Sequence, residues 1–149
     1  MVLKPSEIRT IILGEHDVLR SRLAEINGHL GHAATEAASR AELPKLLAQF
    51  YELFLQHIAH EEQILMPVLA DIDNWGPIRI EQMDEEHIEQ RATINELSRL
   101  QPEPDLKAYT ARILAFIGEI RADMDAEERE CLSRDVLRDD TTSIDAFGG

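Results

Sequence analysis

The chain has 149 residues, of which 44% are hydrophobic and 30% are charged, so it can form one globular domain with a core and is too short to expect two. Its formal net charge of -14 argues against nucleic acid or an anionic membrane surface as a partner, because both would repel it, and leaves a cationic ligand open. The single cysteine cannot form an intrachain disulfide, and the N-terminal segment fits neither a signal peptide nor a membrane span, so we expect a cytoplasmic protein.

The first of four segments with helical periodicity should begin near Ser6, a good N-cap residue. Gly28 and Gly31 should weaken its end, because glycine disfavours the helix interior. The apolar stripe expected to face the core consists of Ile8, Ile12, His16, Leu19, Leu23, Ile26 and Leu30.

The second helix has two mutually exclusive predicted starts. One is a capping box from Ser39 to Glu42, and the other places Pro44 at the first helical position. Pro67 should kink or end this helix, and the sequence DNWGP at 73–77 should form a turn. Its inner stripe comprises Leu46, Phe50, Leu53, Phe54, His57, Glu61, Ile64 and Leu65.

The third helix is predicted from about Ile78 to Leu100, where the loop QPEPD stops it. Asp105 is the natural N-cap of the fourth helix. The third stripe contains Ile80, Met83, His87, Ile94 and Leu97, and the fourth contains Ile113, Phe116, Ile117, Ile120, Asp123, Met124, Glu127 and Cys131.

These patterns predict an all-α protein, and the short connections favour an antiparallel, up-down four-helix bundle. The bundle should occupy residues 1–138. Residues 139–149 contain few apolar side chains, so we expect a flexible C-terminal tail.

Metal-ligand residue types interrupt all four apolar stripes. Residues four apart lie about one helical turn from each other on the same face, as His57 and Glu61 do, and as Asp123 and Glu127 do. Ionised carboxylates buried together are unfavourable without positive charge, and no lysine or arginine lies on the stripes at this level. The sequence therefore predicts a metal site built from His16, His57, Glu61, His87, Asp123 and Glu127.

Three imidazoles and three carboxylates suit iron best, with manganese or zinc as alternatives. Because carboxylates can bridge, two metal ions about 3.5 to 4 Å apart are feasible. Each residue alone has a simpler explanation, since a single histidine on an apolar face is more often a hydrogen-bonded core residue and an acidic run is usually solvated. Their coincidence on four helices favours the metal site.

Neighbouring polar residues are expected to lie on the surface, and sulfur-containing residues on the stripes to fill the core. The expected surface residues are His29, His32, His60, Glu62, Glu86 and Glu128. The expected core residues are Cys131, Met83 and Met124.

Four segments of the chain resemble the hemerythrin-like, or HHE cation-binding, domain: EHDVLR, HIAHEEQILMP, MDEEHIEQR and DMDAEERECL. The most specific part is H-x-x-x-E-E-x-x-L-x-P, from His57 to Pro67. Ferritin-like carboxylate proteins instead place a histidine three residues after a glutamate.

The resemblance implies a non-haem iron centre, usually of two irons, with His16, His57 and His87 as terminal ligands and Glu61 and Glu127 as bridges. Two positions depart from the family. Family members generally carry histidine where Asp123 stands, and oxygen-carrying hemerythrins have another histidine where Met83 stands.

Fewer imidazoles should favour ferric iron, so reaction with oxygen, peroxide or nitric oxide is expected rather than reversible oxygen carriage. The function could then be sensing, storage or iron handling. The alternatives are a di-iron redox enzyme, namely a peroxidase, oxidase or nitric oxide reductase, and a metal-free helical interaction module.

Overall fold

The computed structural model describes residues 2–140, and this part of the chain is helical with short connections and no strand. The helices are α1 (Pro5–His32), α2 (Ala37–His60), α3 (Met66–Ile72), α4 (Gly76–Leu97) and α5 (Leu106–Glu130), and a π-helical turn at Glu61–Leu65 joins α2 to α3. Backbone angles at both junctions of this turn are helical, so α2, the π turn and α3 form one rod. The all-α prediction is confirmed.

The four rods formed by residues 2–140 pack in a ring as an up-down bundle. α1 contacts α2 on one side and α5 on the other, while α4 packs against the rod of α2 and α3. α4 and α5 approach each other least closely of the neighbouring pairs. Within the same residues no helix has both the length and the apolar character needed to cross a bilayer.

Helix ends differ from the sequence predictions by a few residues. α1 begins at Pro5 rather than after Ser6, because proline suits the first helical position, and it continues through its glycines to His32. α4 begins at Gly76 and ends at Leu97, with the next residues in a turn. The predicted cap of α5 is confirmed, since the Asp105 carboxylate accepts a hydrogen bond from the Ala108 amide at 3.0 Å.

Neither predicted start of α2 is correct. The helix begins at Ala37 and contains Pro44 in its interior. Its first turn closes upstream of the proline, where the Arg40 amide donates to the Glu36 carbonyl at 3.1 Å, and Ser39 Oγ hydrogen-bonds to the Glu36 side chain instead of capping. The buried face is also rotated, because Leu47 is buried where Leu46 was predicted.

Pro67 neither ends nor interrupts the second rod. Proline removes one backbone donor and clashes with the carbonyl four residues earlier, and the wider π turn from Glu61 to Leu65 lies immediately before it. The chain then turns at 73–75, where the Trp75 amide donates to Asp73 at 2.9 Å. Gly76 follows because a Cβ atom there would collide with the Leu69 carbonyl oxygen.

A layer of buried polar side chains, which we call the polar layer, divides the core into two apolar clusters. Its fully buried members are His16, His57, Glu61 and His87. The larger cluster fills one end of the bundle and includes Leu19, Leu23, Ile26, Leu43, Leu47, Phe50, Phe54, Ile94, Ile113, Phe116, Ile120 and Met124. The smaller cluster includes Ile8, Ile12, Leu65, Met66, Leu69, Ile72, Met83, Cys131, Leu132 and Leu137. Core packing of Cys131, Met83 and Met124 is therefore confirmed.

The described chain reaches past the last helix and returns to α1. Leu132 and Leu137 are buried in the smaller cluster, and the Leu132 carbonyl accepts a hydrogen bond from Arg9 at 2.8 Å. Asp139 accepts hydrogen bonds from the Ser6 amide and hydroxyl at 2.9 and 2.7 Å. The rest of the predicted tail of 139–149, from position 141 onward, lies outside the described residues.

Candidate metal centre

Four of the six predicted ligands converge in the polar layer between the two apolar clusters. One donor atom from each of His16, His57, Glu61 and Glu127 lies within 4.8 Å of every other. α1 and α5 each contribute one of these residues, α2 contributes His57, and the π turn contributes Glu61. The side chains of His16, His57 and Glu61 are at most 5% exposed, so this group is shielded from water.

His87 adjoins the four-residue group through Glu61. The same oxygen, Glu61 Oε1, lies 3.2 Å from His87 Nε2 and 3.4 Å from His57 Nε2. Glu61 therefore stands between the histidines of two rods, where a carboxylate can bridge.

Asp123 lies at the edge of the site and outside the four-residue group. It lines the same small cavity as the other five residues, but its carboxylate accepts a hydrogen bond from the Gln90 amide at 3.1 Å. Burial raises the pKa of Asp123, and the charges of Glu119 and Glu127 raise it further. The structure thus brings five of the predicted residues together and places the sixth beside them.

Three buried atoms in the centre that could bind a metal have no well-oriented hydrogen bond to the described residues: His16 Nε2, Glu61 Oε2 and Glu127 Oε1. His16 Nε2 and Glu127 Oε1 are 3.1 Å apart, but their orientation is unsuitable for a hydrogen bond. Buried polar atoms are nearly always satisfied, and a shared metal ion would satisfy all three at once. The residues present therefore fit a metal ion.

The two central glutamates cannot both be ionised without a counter-charge. Burial and the neighbouring Glu127 charge raise the pKa of Glu61 well above its ordinary value. Neither lysine nor arginine is among the described residues that line this cavity. Burial opposes protonation of His16, but Glu127 and Glu128 outweigh it and raise the pKa of this ring, so the centre favours positive charge. A divalent cation would supply that charge in place of protons.

An outer carboxylate holds the ring of each of the three central histidines. The pairs are His16 with Glu128, His57 with Glu15, and His87 with Glu62, at Nδ1 to oxygen distances of 2.7, 2.8 and 2.9 Å. An ionised carboxylate only accepts, so Nδ1 donates in each pair and Nε2 is the ring nitrogen that remains for a metal ion in the centre.

Each outer carboxylate also meets a second basic side chain nearer the surface. The partners are Arg20 for Glu128 at 2.7 Å, His60 for Glu15 at 2.6 Å, and Arg91 for Glu62 at 2.7 and 2.8 Å. Arg91, together with His87, lowers the pKa of Glu62 to about 2. These carboxylates therefore stay ionised at neutral pH and keep the histidine rings oriented.

The prediction that Glu62, Glu128 and His60 are plain surface residues is wrong. Their side chains are only about a third exposed or less, and all three belong to the outer contacts of the centre. His32 is exposed as predicted, whereas His29 and Glu86 are half-buried. Burial and nearby carboxylates raise the pKa of Glu86 to about 7.

Glu15 was missed because it lies off the apolar stripe. A signal was nevertheless present, since each outer carboxylate is next in sequence to a central residue: Glu15 precedes His16, Glu62 follows Glu61, and Glu128 follows Glu127. Each one then reaches the histidine of the next helix in the ring. Only the spatial order of the helices reveals that pairing.

The fold and the site together define a class: a four-helix bundle with a buried centre of histidines and carboxylates suited to a cation. The family model of the hemerythrin HHE cation-binding domain matches residues 7–134, nearly the whole chain. The chain belongs to this family. No curated protein and no solved structure matches it.

Proposed function

We propose that this protein binds non-haem iron at a two-iron centre and that the iron reacts with oxygen, peroxide or nitric oxide in sensing, storage or iron handling. Membership of a cation-binding family supports the metal, and the donor set supports iron. Three imidazoles with carboxylates suit iron better than copper(I), which prefers sulfur, or calcium, which prefers oxygen alone. Manganese and zinc remain the alternative metals.

The observation that carries the proposal is a set of buried nitrogen and oxygen atoms that could bind a metal. They lie on three different rods and have no well-oriented hydrogen-bond partner. In a metal-free module a proton held by Glu61 would be shared with Glu127, but His16 Nε2 would still face the centre without a well-oriented hydrogen bond. A buried polar atom without a partner costs free energy. A cation between them turns the same arrangement into a set of ligands.

Six residues would hold the metal in this proposal, with distinct roles. His16, His57 and His87 would be terminal ligands through Nε2. Glu61 would bridge, since one of its oxygens already lies near two histidines, and Glu127 would be the second bridge. The six proposed ligands are His16, His57, Glu61, His87, Asp123 and Glu127.

When bound, the iron would supply an open coordination position and electrons for a small oxidant. The chain contributes the surroundings. Glu15, Glu62 and Glu128 hold the three rings in one tautomer, and the apolar clusters on both sides exclude water from the layer.

Metal analysis of protein produced with iron tests the proposal. We expect about two irons per chain, and we expect the double substitution His57→Ala with Glu61→Ala to abolish uptake because it removes a terminal ligand and a bridge. The matched control is His32→Ala with Glu36→Ala, which removes an exposed pair of the same residue types and spacing. Equal iron in the two double variants would refute the proposed centre.

A further inference from the structure

We call the interface between two neighbouring rods a seam. At the level of the centre, the same two contacts close three of the four seams. An acid next in sequence to a central residue hydrogen-bonds the histidine of the next helix, and a basic side chain covers the acid. This holds between α5 and α1 for Glu128, between α1 and α2 for Glu15, and between the second rod and α4 for Glu62.

The fourth seam, between α4 and α5, breaks this pattern. Glu86 precedes His87 just as Glu15 precedes His16, so the ring order points it toward α5, where Asp123 stands instead of a histidine. Within residues 2–140 the Glu86 carboxylate makes no hydrogen bond or ion pair, and the charge of Asp123 acts on it. Two acids therefore face one another where the other seams have an acid and a base.

An acidic cleft of about 230 Å³ runs along this seam. Its lining consists of Glu86, Glu89, Gln90, Thr93, Phe116, Glu119, Ile120 and Asp123. The described lining includes no basic residue. Such a cleft with one sign of charge and low-dielectric walls concentrates oppositely charged ions.

The cleft leads inward to the centre. Glu86, Gln90, Ile120 and Asp123 line both the cleft and the small central cavity. Glu61, which is 2% exposed and whose Oε2 is buried without a well-oriented partner, lines the central cavity. A cation in the cleft would therefore lie against residues that also line the metal centre.

We propose that the α4/α5 seam is the uptake route for the metal and that Glu86 and Asp123 form an outer station where a divalent cation binds before it moves inward. This inference rests on the proposed function, since it requires a metal in the centre. It assigns a role to the α4/α5 seam, which among the described residues has no basic side chain over its acid, and to Asp123 at that seam.

The rate of Co²⁺ uptake by the full-length, metal-depleted protein tests the route, with visible absorption as the signal. At a pH above the Glu86 pKa of about 7, we expect Glu86→Gln to slow uptake about tenfold, because it removes charge at the outer station, while the final amount of Co²⁺ stays unchanged. The matched control is Glu85→Gln, which removes the same charge one residue away, outside the cleft lining, and should change the rate less than about twofold.

Asp123→His provides a second variant. By the pattern of the other seams, an imidazole at this position would donate to Glu86 and close the cleft. We expect slower uptake, because the closed cleft no longer presents two facing carboxylates to the cation. Salt should slow uptake by the unsubstituted protein more than by Glu86→Gln, since dissolved ions screen the attraction between the acidic cleft and the cation.

Equal uptake rates for Glu86→Gln and Glu85→Gln would overturn the route. Loss of equilibrium Co²⁺ binding in Glu86→Gln would also overturn it, by making Glu86 an essential ligand rather than an outer station. If the unsubstituted protein bound no Co²⁺, the proposed function itself would fail, which is a different result from either of these.

Discussion

The larger apolar cluster and the polar layer are both buried, but they satisfy their side chains in opposite ways. In the cluster, Phe116 packs edge-on against Phe50 and Tyr51, with ring centroids 6.1 and 5.8 Å apart. These ring contacts need no hydrogen bond, although the Tyr51 hydroxyl is buried without a partner among the described residues. In the polar layer, Glu61 is equally buried and has an oxygen with no partner. Apolar packing stabilises the first region, and under the proposed function a cation completes the second.

The apolar residues and the buried carboxylates therefore make different contributions to the free energy of folding. Burial of apolar area in the cluster favours folding under all conditions. Burial of ionised carboxylates in the polar layer opposes folding unless protons or a bound cation neutralise them. The two regions should therefore respond differently to substitution, to pH and to metal.

The largest expected effect comes from emptying the apolar cluster. Phe116→Ala should lower the free energy of unfolding by about 3–5 kcal/mol, because it leaves a cavity among closely packed rings. Denaturant unfolding of the metal-depleted protein measures this change. The iron content of the folded variant, measured at low temperature, should match that of the unsubstituted protein.

The control for this prediction is Val18→Ala, since Val18 is 48% exposed and its truncation should change stability by less than about 0.5 kcal/mol. A loss of iron in Phe116→Ala that exceeds the unfolded fraction would contradict the separation of the two regions.

Helical periodicity was sufficient to predict the class of fold and the central residues, because a buried face repeats with the period of the helix. It failed at α2, where Pro44 suggested a start although the first turn forms earlier, and it gave no sign that a π turn would carry Glu61. Such choices depend on tertiary packing as much as on local sequence.

Helical periodicity could not predict the contacts between the outer carboxylates and the central histidines. Glu15 and Glu128 lie one residue off the inner faces, and their partners belong to other helices at distant positions in the chain. A single sequence does not say which helices are neighbours in the ring. The meeting of Glu86 with Asp123 at the open seam depends on the same spatial order.

The second prediction concerns the pH dependence of the metal-depleted protein. The raised pKa values of Glu61 and Glu86 mean that the folded state keeps protons which the unfolded chain releases near pH 4.5. Stability should therefore fall as pH rises above 4.5, and the contribution of Glu86 should end near pH 7. The slope is at most about 1.4 kcal/mol per pH unit for each proton held, and it is smaller for half-buried Glu86 because solvent screens its charge. Groups with lowered pKa, such as Glu62 at about 2, act below this window.

Denaturant unfolding at several pH values checks the slope. Glu61→Gln should flatten it, because the variant has no carboxyl to ionise at the most buried position, and bound metal should flatten it by neutralising the carboxylates. Stability that rose with pH across this window would contradict the account of the polar layer.

The smallest expected effect lies at the start of α5, in the half of the helix that serves only the apolar cluster. Asp105→Ala should lower the free energy of unfolding by about 1 kcal/mol, because the Ala108 amide loses its capping acceptor. Iron content should not change, since Glu127 lies about 33 Å further along the helix axis. Asp105→Asn is the matched control, because asparagine caps nearly as well, and thermal unfolding compares the three proteins. If the asparagine variant were as unstable as the alanine variant, the negative charge at the helix N-terminus would be the stabilising feature instead of the capping hydrogen bond.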